Sequence, residues 1–206
     1  VLVLDVRPEG TRVSYQLEGL RILIIDDNAH IRQLLRTILY AVGIHAIDVA
    51  EDGVTGFDSF CRLEYDLVFT DYEMEPISGL DLVDMIRTSH KSPNPYVPII
   101  MISSYSDGDR VQSARDRGVT EFLAKPFTVD VLMSRLESVI EEPRPFVRTE
   151  SYFGPDRRRK QDPRYNGPER RTTELEKVDV SVRDLSKQQR DALQASQANA
   201  NKIAGD

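Results

Sequence analysis

One cysteine, no apolar run long enough to cross a membrane and no DNA-reading motif set the first limits on this 206-residue chain. The single thiol, Cys61, excludes a disulfide framework within one chain and fits a reducing compartment. It falls in an amphipathic stretch, where a thiol reads as a small apolar filler before a nucleophile. A membrane span needs roughly 18 consecutive apolar residues, and nothing approaches that; no signal-peptide layout is visible either. A cytoplasmic location is expected. Helix-turn-helix patterning, zinc-finger ligand spacing and a second catalytic domain are also missing.

The length suits one domain of usual size plus appendages. Apolar residues dominate from Leu20 to Ile140 and then thin out. The net charge of −7 is segregated: residues 143–171 hold nine Lys/Arg against four Asp/Glu, or +5, which leaves −12 for the remainder. An acidic body with a basic belt argues for a local anion ligand over general coating of nucleic acid.

From Arg21 the chain alternates short apolar runs with helical periodicity. Strands are expected at Arg21–Ile25, Ile44–Val49, Asp66–Thr70, Pro98–Ile102 and Glu121–Ala124. Helices are expected at Asn28–Ala41, Gly53–Arg62, Gly79–Thr88, Asp107–Arg117 and Val129–Ile140. In the first helix Ile31, Leu34, Leu35, Ile38, Leu39 and Val42 form one apolar stripe, and Gly43 stops it. Five β-α units with fully apolar central strands specify an α/β fold with a five-stranded, doubly wound parallel sheet. Its ligands belong at the carboxyl ends of the strands. Residues 1–19 form an N-terminal extension able to add a strand. The globular domain spans 20–142, a basic arm 143–173, and a polar tail 174–206 with a weak helical pattern over Ser181–Ile203. Pro143, Pro145, Pro155, Pro163 and Pro168 exclude regular helix from the arm, which is expected to be irregular.

The strand ends carry the chemistry. Asp26 and Asp27 close the first strand, Asp71 closes the third, Ser103 follows the fourth, and Lys125-Pro126 follow the fifth. Three converging carboxylates repel one another unless a hard cation joins them, and oxygen ligands of this kind suit Mg²⁺. Asp71 then stands as a nucleophile toward phosphorus, with Lys125 pairing the phosphoryl charge and Ser103 offering it a hydroxyl. Taken singly, an acidic pair at a strand end is often a helix cap and a Lys-Pro often a turn. Their convergence on one sheet edge is what points to a site.

These motifs, Ile24-Ile-Asp-Asp-Asn28, Thr70-Asp-Tyr-Glu-Met74 with Gly79, Pro98-Ile-Ile-Met-Ile-Ser-Ser104 and Phe122-Leu-Ala-Lys-Pro126, resemble the receiver domain of bacterial two-component response regulators, the CheY-like (flavodoxin-like) fold. The resemblance implies that Asp71 accepts phosphate from a sensor histidine kinase or phosphotransfer protein. It implies that Asp26, Asp27, Asp71 and the backbone carbonyl of Glu73 hold Mg²⁺, and that Ser103 and Phe122 form a switch pair. One departure is visible. The family usually has Pro directly after the Met at position 74, whereas here Glu75 intervenes before Pro76. Phe122 also lacks the hydroxyl of the commoner Tyr, which bears on the partner face Asp107–Phe122.

The arm repeats a phrase: Tyr152-Phe-Gly-Pro-Asp-Arg-Arg158, then Tyr165-Asn-Gly-Pro-Glu-Arg-Arg171. Arginine bonds phosphate bidentately and matches the O6/N7 edge of guanine. An acid accepts from guanine N1–H and N2–H₂, and a Gly-Pro turn lets backbone approach a ligand. A two-fold cyclic dinucleotide of guanosine fits a doubled phrase. The arm resembles the arginine-rich extension of the Cle group of CheY-like proteins, which bind cyclic di-GMP as an intercalated dimer and act on the flagellar motor. That resemblance implies Tyr152, Asp156, Arg157, Arg158, Arg159, Asp162, Arg164, Tyr165, Glu169, Arg170 and Arg171 as the nucleotide site, with Arg159 and Asp162 adding an Arg-x-x-Asp spacing. The expected protein is a stand-alone response regulator, an adaptor and not an enzyme, whose partner is of the flagellar-switch kind. Two other readings stay open: a phosphate-relay or sink receiver without nucleotide ligand, and a nucleic-acid-binding regulator. The interrupting acids and the acidic body disfavour the latter.

Overall fold

A computed structural model describes residue 17 and residues 19–104, 108–149, 152–156 and 176–178. Strands β1 (Arg21–Ile25), β2 (Ala46–Ala50), β3 (Leu67–Asp71), β4 (Ile99–Ser103) and β5 (Glu121–Ala124) alternate with helices α1 (Ala29–Ala41), α2 (Gly53–Arg62), α3 (Gly79–Thr88), α4 (Gly108–Asp116) and α5 (Val129–Glu141). The strands form one sheet in the order β2-β1-β3-β4-β5, and every pairing is parallel. The expected five β-α units are all present.

Strand pleating divides the core in two. Ile22 and Ile24 point to the face covered by Leu35, Ile38 and Leu39 of α1 and Leu132, Leu136 and Val139 of α5. Leu23 and Ile25 point to the opposite face, against Phe57 and Phe60 of α2 and Leu82, Val83 and Ile86 of α3. Burial on both sides is why these strands read as unbroken apolar runs. The helices start where polar side chains satisfy the first free amides: Asn28, Asp52, Ser78 and Thr128 are N-caps, and Ser78 forms a capping box with Asp81. Gly43 ends α1 with φ near 95°.

Three expectations are adjusted. Ser103 is the last residue of β4 instead of following it, and Asp26 and Asp27 lie just past β1, while Asp71 closes β3 as expected. Strand β2 begins at Ala46, because Ile44 is already buried in the α1–α5 core with its amide bonded to Leu39. Leu34, placed in the buried stripe of α1, is 46% exposed: the stripe is narrower than the periodicity suggests.

The arm is not irregular throughout. Strand β6 (Phe146–Arg148) pairs antiparallel with β7 (Phe153–Pro155) on one side and β8 (Glu176–Val178) on the other. The tail helix over Ser181–Ile203 and nearly all of the N-terminal extension lie outside the described residues. Leu17 is buried in the α1–α5 core. Among the described residues, no helix is long and apolar enough to cross a membrane.

Candidate functional site

Parallel register brings the carboxyl ends of β1, β3, β4 and β5 to one edge. There one oxygen each of Asp26, Asp27 and Asp71 lie within 4.8 Å of one another. Asp26 is 1% exposed and Asp71 8%, while Asp27 faces solvent. The Lys125 ammonium spans the cluster, 2.8 Å from Asp71 Oδ1 and 3.0 Å from Asp26 Oδ2. Burial raises the Asp71 carboxyl above its ordinary range; the bond and charge of Lys125 oppose this and the Asp26 charge adds to it. Burial alone would lower Lys125, but its bonds to Asp71 and Asp26 outweigh that and raise it.

Local structure aims these groups. The Asn28 amide donates to Asp26 Oδ1 at 2.8 Å, so the turn that caps α1 also orients the acid. Arg32 on α1 donates to the carbonyls of Asp26 and Asp27. Gly79 opens α3 directly against β3: a Cβ there would collide with the Asp71 carbonyl oxygen. Only glycine lets the helix start this close.

The three acids suit a hard divalent cation. All donors are oxygen, the Lys125 ammonium that reaches two of them neutralises only part of the charge, and Asp27 leaves the cluster open to solvent. The Glu73 side chain does not join them. It turns to Arg110 at 2.6 Å, and that guanidinium also stands 5.2 Å over the Tyr72 ring. Ser103 is buried beside the cluster, and Phe122 on neighbouring β5 is part-buried against the α2–α3 core. Cys61 is exposed, donates to the Lys91 carbonyl and has its thiol pushed up by partial burial, the opposite of an activated nucleophile.

The arm residues divide. Arg157, Arg158, Arg159, Asp162, Arg164, Tyr165, Glu169, Arg170 and Arg171 lie outside the described residues. Tyr152 and Asp156 lie inside, and their surroundings differ from the expectation. The Gly-Pro of the first copy is not a turn presented to a ligand but the end of β7. Gly154 and Pro155 are buried, and Asp156 is 8% exposed. The Tyr152 hydroxyl donates to the Pro155 carbonyl at 2.7 Å. Nor does this copy face the carboxylate cluster: it packs at the opposite end of the sheet, beside the loops that enter β4 and β5.

Sequence reading missed the residues that hold it there. Arg87, in the last turn of α3, looks like a solvent-facing helix-end charge. It is instead 4% exposed and donates to the carbonyls of Pro95, Val97 and Gly118. Glu121 on β5, also 4% exposed, pairs with Arg144 of the arm and Arg135 of α5. No local pattern signals either.

The family profile described as "Response regulator receiver domain" matches residues 22–137. Similar curated proteins include chemotaxis protein CheY-3 of Vibrio cholerae serotype O1, 28% identical over 124 residues that cover 60% of this chain and 94% of that protein. Chemotaxis protein CheY1 of Helicobacter pylori is 30% identical over 122 residues, 59% of this chain and 97% of that one. Among solved structures, Vibrio cholerae CheY4 aligns with a TM-score of 0.54 and 25% identity, over 58% of this chain and 98% of its own.

Proposed function

Because the chain belongs to the response regulator receiver domain family, we propose that it is a phosphorylatable signalling adaptor whose acceptor is Asp71. The observation that carries this reading is the Lys125 ammonium bridging Asp71 and Asp26 beside Asp27. A carboxylate oxygen of Asp71 attacks phosphorus of a phosphohistidine. The O–P bond forms as the N–P bond breaks, and the imidazole leaves with the electron pair. Lys125 moves its charge from the carboxylate to the incoming phosphoryl oxygens, and the Ser103 hydroxyl donates to one of them. Asp26 and Asp27, with Asp71, would hold Mg²⁺, which supplies charge neutralisation on the phosphoryl group. The Glu73 carbonyl is assigned to the same ligand set by family resemblance alone.

The test uses a small acyl phosphate as donor. The full chain gains one phosphoryl mass that alkaline hydroxylamine removes; chelator or Asp71→Asn abolishes the gain. Labelling that survives Asp71→Asn refutes the assignment. A groove between α4, β5 and α5, lined by Val111, Phe122, Phe127 and Val131, offers the surface on which a partner would read the phosphorylated state. Several relatives are named for chemotaxis, which favours a partner of the flagellar-switch kind, in the cytoplasm, over an external substrate.

The doubled Tyr-x-Gly-Pro-acid-Arg-Arg phrase supports a second input, cyclic di-GMP, taken up by the arginines of the arm as an intercalated dimer. Isothermal titration of the full chain decides it. Heat at micromolar nucleotide, lost in Arg170→Ala/Arg171→Ala, is expected. No heat leaves a phosphate-relay or sink receiver, and salt-sensitive binding of RNA that the dinucleotide does not displace leaves a nucleic-acid regulator.

A further inference from the structure

Strand β2 is an outer edge of the five-stranded sheet, the one opposite β5. The Ala50 carbonyl accepts from the Asp26 amide, so strand alternation turns the Val49 amide and carbonyl away from β1. The Ile47 amide faces the same way but bends back to the His45 carbonyl at 3.2 Å; among the described residues the Val49 amide has no such local bond. Sheets usually blunt an open edge with charge, proline or a covering segment. Here the open backbone belongs to a valine that is 44% exposed, and Leu63, at the end of α2, is exposed to the same extent.

A cleft of about 480 Å³ wraps over this edge and is lined by both of these residues. Arg36 of α1 lines it on one face of the sheet and Arg62 of α2 on the other. Both arginines are exposed, and among the described residues neither makes a hydrogen bond or an ion pair. The acid beside them, Asp48, is already engaged by Arg21 at 3.4 Å. The Tyr65 ring closes the floor against Phe60, and its hydroxyl is buried near the Asp48 charge with no acceptor at hydrogen-bond distance. Free strand backbone, apolar side chains and two unpaired cations thus meet in one place.

We infer that the outer edge of β2 is a docking site for an extended acidic segment of a partner protein, which adds to the sheet as a further strand. Successive side chains of such a strand point to opposite faces, so two adjacent carboxylates reach Arg36 on one side and Arg62 on the other. Val49 exchanges main-chain hydrogen bonds with the segment, and the Val49 and Leu63 side chains cover its apolar positions. A second copy of the chain fits less well, because a two-fold axis at this edge sets identical arginines against each other. The edge lies across the sheet from β5 and the groove beside it, so both surfaces can be occupied together. The docking does not depend on the phosphoacceptor reading.

The probe is a short labelled peptide of valine and threonine with two adjacent glutamates at its centre. Its binding to the full chain is read by fluorescence anisotropy, and hydrogen exchange at the Val49 amide is followed with and without it. Saturating peptide is expected to slow that exchange at least about tenfold through the added backbone bonds. Arg36→Gln/Arg62→Gln should weaken binding about fivefold or more, as the loss of two exposed ion pairs allows. Its thermal midpoint should not change. Glutamine in place of both glutamates should weaken binding to the wild type equally, and an N-methyl group on the peptide amide facing Val49 should abolish it. These two peptides need no variant, so they decide the matter even where the arginine variant fails to fold. A wild-type chain that binds no peptide, or binds the glutamine peptide as well, overturns the proposal. Undiminished binding of the N-methyl peptide, or unchanged exchange at Val49, leaves adsorption to the arginines and overturns strand addition. Protection of Val49 without peptide, together with a dimer in sedimentation, gives the edge to a second copy and overturns the acidic occupant.

Discussion

Lys125→Met isolates the electrostatics of the phosphoacceptor cluster. In the native chain the ammonium lies 2.8 and 3.0 Å from two carboxylates. Without it, three acids with oxygens within 4.8 Å of one another are left to repel by about 3–4 kcal/mol per ionised pair at an effective dielectric near 20. Protonation relieves part of this, so the net loss resembles that of breaking a buried ion pair, about 3 kcal/mol. For a domain of this size that is a fall of about 6–12 °C in Tm. The sharper expectation is the response to Mg²⁺. Ammonium and cation neutralise the same oxygens, so saturating Mg²⁺ should raise the variant's midpoint by more than it raises the wild type's. With no tryptophan in the chain, circular dichroism in chelator and in Mg²⁺ is the suitable assay. An equal Mg²⁺ increment in both proteins would refute the shared site. A variant as stable as wild type in chelator would refute the repulsion.

Gly79→Ala forces a methyl against the Asp71 carbonyl and is expected to cost about 1–3 kcal/mol through overpacking; slower labelling from an acyl phosphate should accompany the lower midpoint. Arg87→Met removes four hydrogen bonds to three carbonyls and should destabilise by about 3 kcal/mol or more, read as the shift of a urea midpoint at constant slope. Asp52 caps α2 through the Thr55 amide, which holds its carboxyl below the ordinary value of 3.8. Its contribution is therefore present above the unfolded pKa and lost as pH falls through the lower folded one. The stability gap between wild type and Asp52→Ala should be constant at neutral pH and close on acidification in pH-resolved denaturant titrations.

The receiver was legible because its signals are local and mutually consistent. Apolar runs bounded by cap residues gave the elements, and each acid, hydroxyl or lysine of the pocket stands at a strand end, so parallel topology alone makes them converge. Leu34 shows the limit of periodicity: it sits at the edge of the stripe, and how far α1 rolls toward the sheet decides its exposure. Arg87 and Glu121 show another. Their burial depends on partners 31 and 23 residues away, Gly118 and Arg144, and composition carries no trace of such contacts.

The arm separates the two kinds of information most clearly. From its residues alone the doubled phrase was visible, together with its charge and its guanine-compatible chemistry, since these are properties of residue type and spacing. By residue type Gly154-Pro155 reads as a turn that brings the backbone to a ligand, yet the same two residues end strand β7. The tertiary structure decided it through Gly118 and Tyr96, from chain segments far away in sequence, which meet Gly154 and the Phe146–Phe153 pair of the arm. Close packing of two glycines and three rings leaves room for one conformation, and only the folded receiver brings those partners together.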